Sequence, residues 1–270
     1  MAQPISDDQL AIVPADEASW HDLQTIFGTT DYPSMCQCQR FKITGSQWGS
    51  VPLAERAERL REQTGCGNAG APSTSGLVAY LDDEPVGWCA IEPRTFYPRL
   101  LRARVPWTGR QEDRTDDSVW AVTCFVTRKG FRLRGITYAL ARATIGFARD
   151  RGARAVEGYP MITRPGVEIT WGELHVGSRD VFADAGFVEV SRPTPRRAVM
   201  RIDFLWSPVR LLIAAVACES IGQRQQRVAR PPRTSPPVTR EPASTQPGVS
   251  TPRTRCRSIR TWRRRSCTQP

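Results

Sequence analysis

The run SVWAVTCFVT at 118–127 constrains the fold of this 270-residue chain more than any other segment. Three Val and two aromatics in ten residues make it the most strand-like stretch present. It leads through TRKGFRLRGIT into a helical pattern from Gly135 to Gly152, with Ile136, Leu140, Ala143 and Phe147 on one face. A buried strand feeding an amphipathic helix across a glycine-bearing loop is the frame around which the remaining elements are ordered.

Leu10 to Val13 reads as a first strand, followed by a helix carrying Trp20, Leu23, Ile26 and Phe27, with Asp16 as its cap and Gly28 as its stop. MCQCQRF at 35–41 reads as loop after Pro33, and 53–63 as a charged surface helix ended by Gly65. LVAYL (77–81), DDEP and VGWCAI (86–91) form a hairpin, because turn residues separate two strand-like runs. A long Arg-rich connection fills 94–117. After the central helix come a strand at 153–159, a short helix at 179–185 capped by Ser178, and a closing pair at 187–190 and 198–204. Strands and helices mix without strict alternation, which predicts an α+β (mixed α/β) domain with a mostly antiparallel, twisted central sheet flanked by helices.

Charge divides the chain. Its 38 Lys+Arg against 27 Asp+Glu give a net +11, yet residues 1–204 hold 25 basic and 25 acidic side chains. Residues 205–270 carry the whole excess, with 13 Arg and only Glu219 and Glu241. The basic balance therefore names no nucleic-acid or lipid partner for the domain. The tail, rich in Arg, Pro, Ser and Thr, is expected to be disordered. Nucleic-acid contact through its Arg clusters is the weaker reading, and out-of-frame translation of GC-rich DNA the one its abrupt start favours. The expected domains are thus 1–204 and 205–270. MAQPISDDQL shows no secretory signal, and no apolar run approaches a membrane span, which predicts a cytoplasmic protein without a membrane partner. Five Cys before residue 205 argue for reduced thiols rather than a disulfide framework. Cys36-Gln37-Cys38 is too closely spaced for a zinc pair, so no metal is expected, and Cys124 reads as core.

The chemistry concentrates at the junction. A helix N-terminus presents unpaired N–H groups and the positive end of the dipole. Gly135 lets a ligand approach the backbone, while Arg128, Arg132 and Arg134 surround the place with charge. This suits a phosphate or pyrophosphate, although a glycine turn with exposed Arg would look the same in sequence.

Here the chain resembles the GNAT N-acetyltransferase superfamily. Arg132-Leu-Arg-Gly135-Ile-Thr137 follows that family's Arg/Gln-x-x-Gly-x-Gly/Ala signature except at Thr137, and VFADAGFVEV at 181–190 resembles its closing helix, Gly-Phe turn and strand. The resemblance covers about residues 8–204 and implies the GNAT acyl-CoA N-acyltransferase fold. It implies acetyl-CoA as co-substrate, with the backbone of Phe125, Val126 and Thr127 along the pantetheine. Arg132, Leu133, Arg134, Gly135, Ile136 and Thr137 would then be at the pyrophosphate. The implied activity is acetyl transfer to a primary amine of a small molecule; a degenerate binder of CoA or a metabolite is the alternative. The family's acid, a Tyr, falls on Phe182, and its Asn on His175, so neither is present. Glu157, Glu92 and His175 remain as candidates for the general base, each with a plain structural alternative. The segment 162–175 with Trp171 reads as the wall of the acceptor pocket, Tyr138 as packing, and a homodimer is compatible with the sequence.

Overall fold

The protein is described from a computed structural model that covers residues 5, 9–28 and 31–204. Its strands are β1 (Leu10–Pro14), β2 (Gly76–Leu81), β3 (Glu84–Pro93), β4 (Val119–Thr127), β5 (Ala155–Gly158), β6 (Val188–Thr194) and β7 (Arg197–Asp203). The helices are α1 (Trp20–Phe27), α2 (Asp31–Cys36), α3 (Leu53–Thr64), α4 (Pro98–Arg102), α5 (Ile136–Asp150), α6 (Trp171–Leu174) and α7 (Arg179–Asp184). One sheet of order β1-β2-β3-β4-β5-β7-β6 joins all seven strands, antiparallel except for the β4–β5 pair. The mixed α+β architecture with a mostly antiparallel sheet is the one the sequence predicts.

β4 is buried at every position because both of its faces are covered. On one face α5 and α7 lay Ile136, Leu140, Phe147, Val181 and Phe182 against Cys89, Ile91, Val122 and Phe125. On the other, α1 packs Leu23, Ile26 and Phe27 over Val78, Trp88, Cys124 and Val126. The fully buried Trp88 meets Phe27 at 5.8 Å between ring centroids. Burial of this extent contributes roughly 1.5–3 kcal/mol per large apolar side chain.

Two irregularities open the sheet where it matters. Ala90 faces Cys124 but Ile91 faces Val122, so Thr123 is an extra residue that bulges β4. β5 follows β4 only from Val119/Ala155 to Val122/Gly158, and from Thr123 onward β4 runs on without it. The two parallel strands therefore part like a fork. Gly158 stands at the crotch, where a Cβ would overlap the ring of Phe182.

Several local expectations are corrected. Asp16 does not cap α1; Ser19 does, accepting from Asp22 N–H at 3.1 Å, while the Asp16 carboxylate accepts from Gly70 N–H at 3.0 Å. The loop read around Pro33 contains α2, and the long connection from 94 contains α4, started by Pro98 at its first turn. Ser178 caps α7 as expected. The tail from 205 onward, with the disorder, charge and reading-frame expectations placed on it, lies outside the described residues. Among the described residues no helix is long and apolar enough to cross a membrane.

Candidate functional site

The fork and the start of α5 together form a cleft of about 260 Å³. Phe125, Thr127, Phe131, Leu133, Gly135, Ile136, Thr137 and Tyr138 line one side; Thr163, Leu174, Gly177, Ser178 and Val181 line the other. Gly135 is the residue before α5, with φ 90° and no side-chain cap on the helix. Tyr138 N–H closes back on the Gly135 carbonyl at 2.9 Å, and the Ile136 and Thr137 amides at the start of α5 face the cleft end of the turn. Leu133 is also left-handed, at φ 61°, and its side chain is 98 % exposed, which keeps it from covering the loop amides. A non-glycine residue in this region stores strain of roughly 1–3 kcal/mol and is often found at ligand-binding turns.

The three arginines of the junction do different things. Arg128 pairs with Glu84 at 2.7 Å and stacks on Phe131, so its charge is spent on the hairpin turn. Arg134 lies over the same Phe131 ring at 5.8 Å from its centroid. Arg132 is half-buried, and burial lowers its pKa. Thr137 stands where the signature has a smaller residue, and its hydroxyl lies 3.3 Å from that of Thr127 across the cleft floor. Its bulk is thereby turned toward β4. Tyr138, expected to pack, is instead partly exposed and lines the cleft.

A short piece of chain enters the fork. Phe125 N–H donates to the carbonyl of His175 at 2.6 Å, Met161 N–H to Gly177 O at 2.9 Å, and Arg179 N–H to Met161 O at 2.8 Å. Residues 175–178 thus act as a wedge between β4 and the chain leaving β5. On the far side of that wedge lies a small chamber of about 20 Å³, room for roughly one water. Its walls are Phe27, Tyr32, Pro33, Cys36, Cys38, Cys124 and Val126, closed by Phe125 and His175. Cleft and chamber share Phe125 and sit on opposite sides of the β4 backbone. The Val126 side chain faces the chamber, because successive strand residues alternate sides.

His175 is the most telling side chain. Its Nδ1 lies 2.7 Å from the carbonyl of Gly172, an acceptor only, so Nδ1 carries the proton in that bond. The Nε2 lone pair is left buried without a partner. Burial lowers the pKa to about 4, helped by the charges of Arg40 and Arg197, so the ring is neutral at pH 7. Tyr32 and Phe41 flank the imidazole, with centroids 6.0 Å and 6.1 Å away.

The two carboxylates that compete with it as base are engaged elsewhere. Glu157 is fully buried and holds Arg110, Arg201 at 2.6 Å and the Tyr159 hydroxyl at 2.9 Å, with Arg94 3.7 Å away. Glu112 and Asp203 balance the remaining cationic charge. This is an ionic core at β5, and Glu157, a candidate base in the sequence, is not among the residues that line either cavity. Glu92 forms a buried ion pair with Lys42 beside Tyr97. Burial raises its pKa while Lys42 pulls the other way. Phe182 fills the slot of the missing tyrosine as a core ring, edge-on to Phe125 at 5.8 Å and to Phe187 at 5.2 Å.

Sequence reasoning had not joined the thiols to the site. Cys38, at φ 55° after Gln37 at φ 47°, accepts from Trp88 Nε1 at 3.3 Å. Hydrogen bonding with Cys124 lowers its pKa, and the same contact raises that of Cys124. Burial pushes Cys36 up to about 11. The CxC spacing was the available signal, but only the fold brings Cys124 beside it. Among the described residues no group of three His, Cys, Asp or Glu is arranged to hold a metal.

Residues 40–159 match the model of the acetyltransferase (GNAT) family. No curated protein matches the chain. Among solved structures, an N-acetyltransferase from Staphylococcus aureus Mu50 is 12 % identical, with 72 % of this chain and 98 % of that one covered and a TM-score of 0.41. An aminoglycoside acetyltransferase, AAC(6')-Ib, in complex with coenzyme A is 15 % identical over 72 % and 94 % of the two chains, TM-score 0.40. Ard1 from Thermoplasma volcanium is 13 % identical over 73 % and 99 %, TM-score 0.38.

Proposed function

We propose that this chain, whose residues 40–159 match the acetyltransferase (GNAT) family model, is an N-acetyltransferase working between the cleft and the chamber. Acetyl-CoA is taken in the cleft, and an amine receives the acetyl group from the chamber side. The observation that carries this reading is the uncapped start of α5 at Gly135, opening on a cleft that meets the chamber at Phe125. A helix start without a cap suits pyrophosphate oxygens, and a strand edge that β5 leaves beyond a bulge suits an extended amide chain. Acetyl-CoA supplies an activated thioester.

The protein's own groups would then act as follows. The amides at Gly135, Ile136 and Thr137 hold the diphosphate, with Arg132 and Arg134 adding charge. Thr127 presents its backbone along the cleft. Phe125 N–H, released from the His175 carbonyl, donates to the carbonyl oxygen as negative charge develops there. His175 Nε2, deprotonated at neutral pH, takes the proton of the attacking amine. Phe182 has no proton to give. A thiol's pKa near 8.5 means the departing thiolate needs no strong acid, and the hydroxyls of Thr127, Thr137 and Ser178 border the cleft through which water reaches it.

Calorimetry of the full chain with acetyl-CoA, followed by thiol release over a panel of amines, tests this. Binding with amine-dependent release supports it; no heat and no thermal stabilisation overturn it. A second reading, a binder of CoA or a related metabolite without turnover, is favoured by Phe182 and by the carbonyl already seated on Phe125 N–H. Binding without release under any amine would select it.

A further inference from the structure

The loop of residues 128–135 is fastened to the sheet at its two ends. Arg128 N–H donates to Val86 O at 2.9 Å, and Ile136 seats on Gly87, where a Cβ would come within 2.7 Å of its Cγ2. Between those ends the backbone takes a costly shape. Leu133 and Gly135 are left-handed, at φ 61° and 90°, and Arg134 between them is not. Such alternation turns successive N–H groups toward one side, a concavity that cups anions. A leucine disfavours it, so the turn needs a hold of its own when no ligand is there to provide one.

Ile5 supplies that hold. Its N–H donates to the Arg134 carbonyl at 3.0 Å, and its own carbonyl stands 3.7 Å from where a Cβ of residue 135 would lie. A trans peptide points its C=O and N–H in opposite directions. Seating the Arg134 carbonyl on Ile5 therefore turns the Gly135 N–H away from Ile5. Gly135 borders the cleft, and among the described residues no acceptor takes that N–H.

The side chain of Ile5 keeps the tether from fraying. It is only 8 % exposed and belongs to the apolar cluster that includes Leu81, Val86, Ile136 and Leu140. A backbone hydrogen bond pinned by a buried side chain opens less readily than one standing in water.

Building on the acetyltransferase reading, we infer that Ile5 is a positioning residue for the donor. It acts through the Arg134–Gly135 peptide, presetting the turn at Leu133 to Gly135 so that its amides are aimed at the diphosphate before acetyl-CoA arrives. A preset turn spares the ordering cost at binding, so the tether strengthens the hold on the donor. By reciprocity, the donor strengthens the tether.

The test uses the full chain and CoA. In a calorimeter, Ile5→Pro, which has no N–H to donate, should raise the Kd about tenfold, the scale of one hydrogen bond. Ile5→Val, which keeps the N–H and the buried branch, should retain the affinity of the parent chain. In the parent chain, deuterium exchange of the Ile5 amide should slow about tenfold when CoA saturates, since the coupling is the same in both directions. The control is the Ala15 amide, bonded to Gly76 O at 3.0 Å just beyond the far end of β1, which should hardly respond. A purely structural tether would show no such difference. An unchanged Kd for a folded Ile5→Pro overturns the inference, and so does an Ile5 amide that slows no more than that of Ala15. If Ile5→Pro does not fold, the exchange comparison decides alone. A parent chain that binds no CoA sinks the acetyltransferase reading itself, a separate result read in the first titration.

Discussion

At the residue scale, two buried titratable groups were read alike from the sequence and turn out to be opposites. His175 keeps a bare lone pair in a cavity; Glu157 has every oxygen committed. His175→Gln should keep acetyl-CoA affinity and lower kcat by about 100-fold or more, the usual share of a general base. The same histidine leaves a mark on stability. Its folded pKa of about 4 lies below the ordinary 6.5, so above pH 6.5 it contributes no pH dependence. As pH falls from 6.5 toward 4 the unfolded chain binds a proton that the folded one refuses, and stability declines by up to roughly 3 kcal/mol. Melting curves between pH 7.5 and 4.5 should therefore fall less steeply for His175→Gln than for the parent chain. Glu157→Gln should act on folding instead. It removes the centre of a buried cluster, and denaturant unfolding should show a loss of about 3–5 kcal/mol. The sequence could name these residues as candidates because their types are rare and polar. The role of Glu157 depends on Arg201 and Arg110, 44 and 47 positions away, and local spacing holds no record of those.

At the scale of elements, the strand–loop–helix unit was legible because each part carries its own signal: branched and aromatic residues in β4, glycine at a left-handed turn, a one-sided apolar helix after it. Gly135→Val should raise the Kd for acetyl-CoA about tenfold or more, since a branched residue at φ 90° is strained by roughly 1–3 kcal/mol and shifts the helix amides. Its melting temperature should move less than that of Gly158→Ala, which drives a methyl into the buried Phe182 ring at the fork, a site where overpacking costs about 1–3 kcal/mol. What the sequence hid are the short helices. α2 has six residues with a proline inside, and α4 five within a charged stretch; neither is long enough for a periodicity to show. The Asp16 error has a similar origin. Both Asp16 and Ser19 are good caps by type, and what separates them is Gly70, 54 residues away, which claims the aspartate.

At the scale of the whole molecule, β4 is a partition as much as a strand, with one cavity on each side of it. All the ladders of the sheet close within residues 10–203, which is why truncation after Phe204 is expected to leave the melting temperature and acetyl-CoA affinity of the full chain unchanged. A drop in either would assign the basic tail a part in the fold or the site. The wedge at His175 has a consequence for the sequence of events in turnover. The same residue lends its carbonyl to Phe125 and its ring to the chamber, so the donor's arrival at Phe125 and the placing of the base are one movement. Acceptor bound first would meet a base not yet in position. Kinetics on this scaffold should therefore show a compulsory order, acetyl-CoA before amine, with CoA competing against acetyl-CoA and not against the amine.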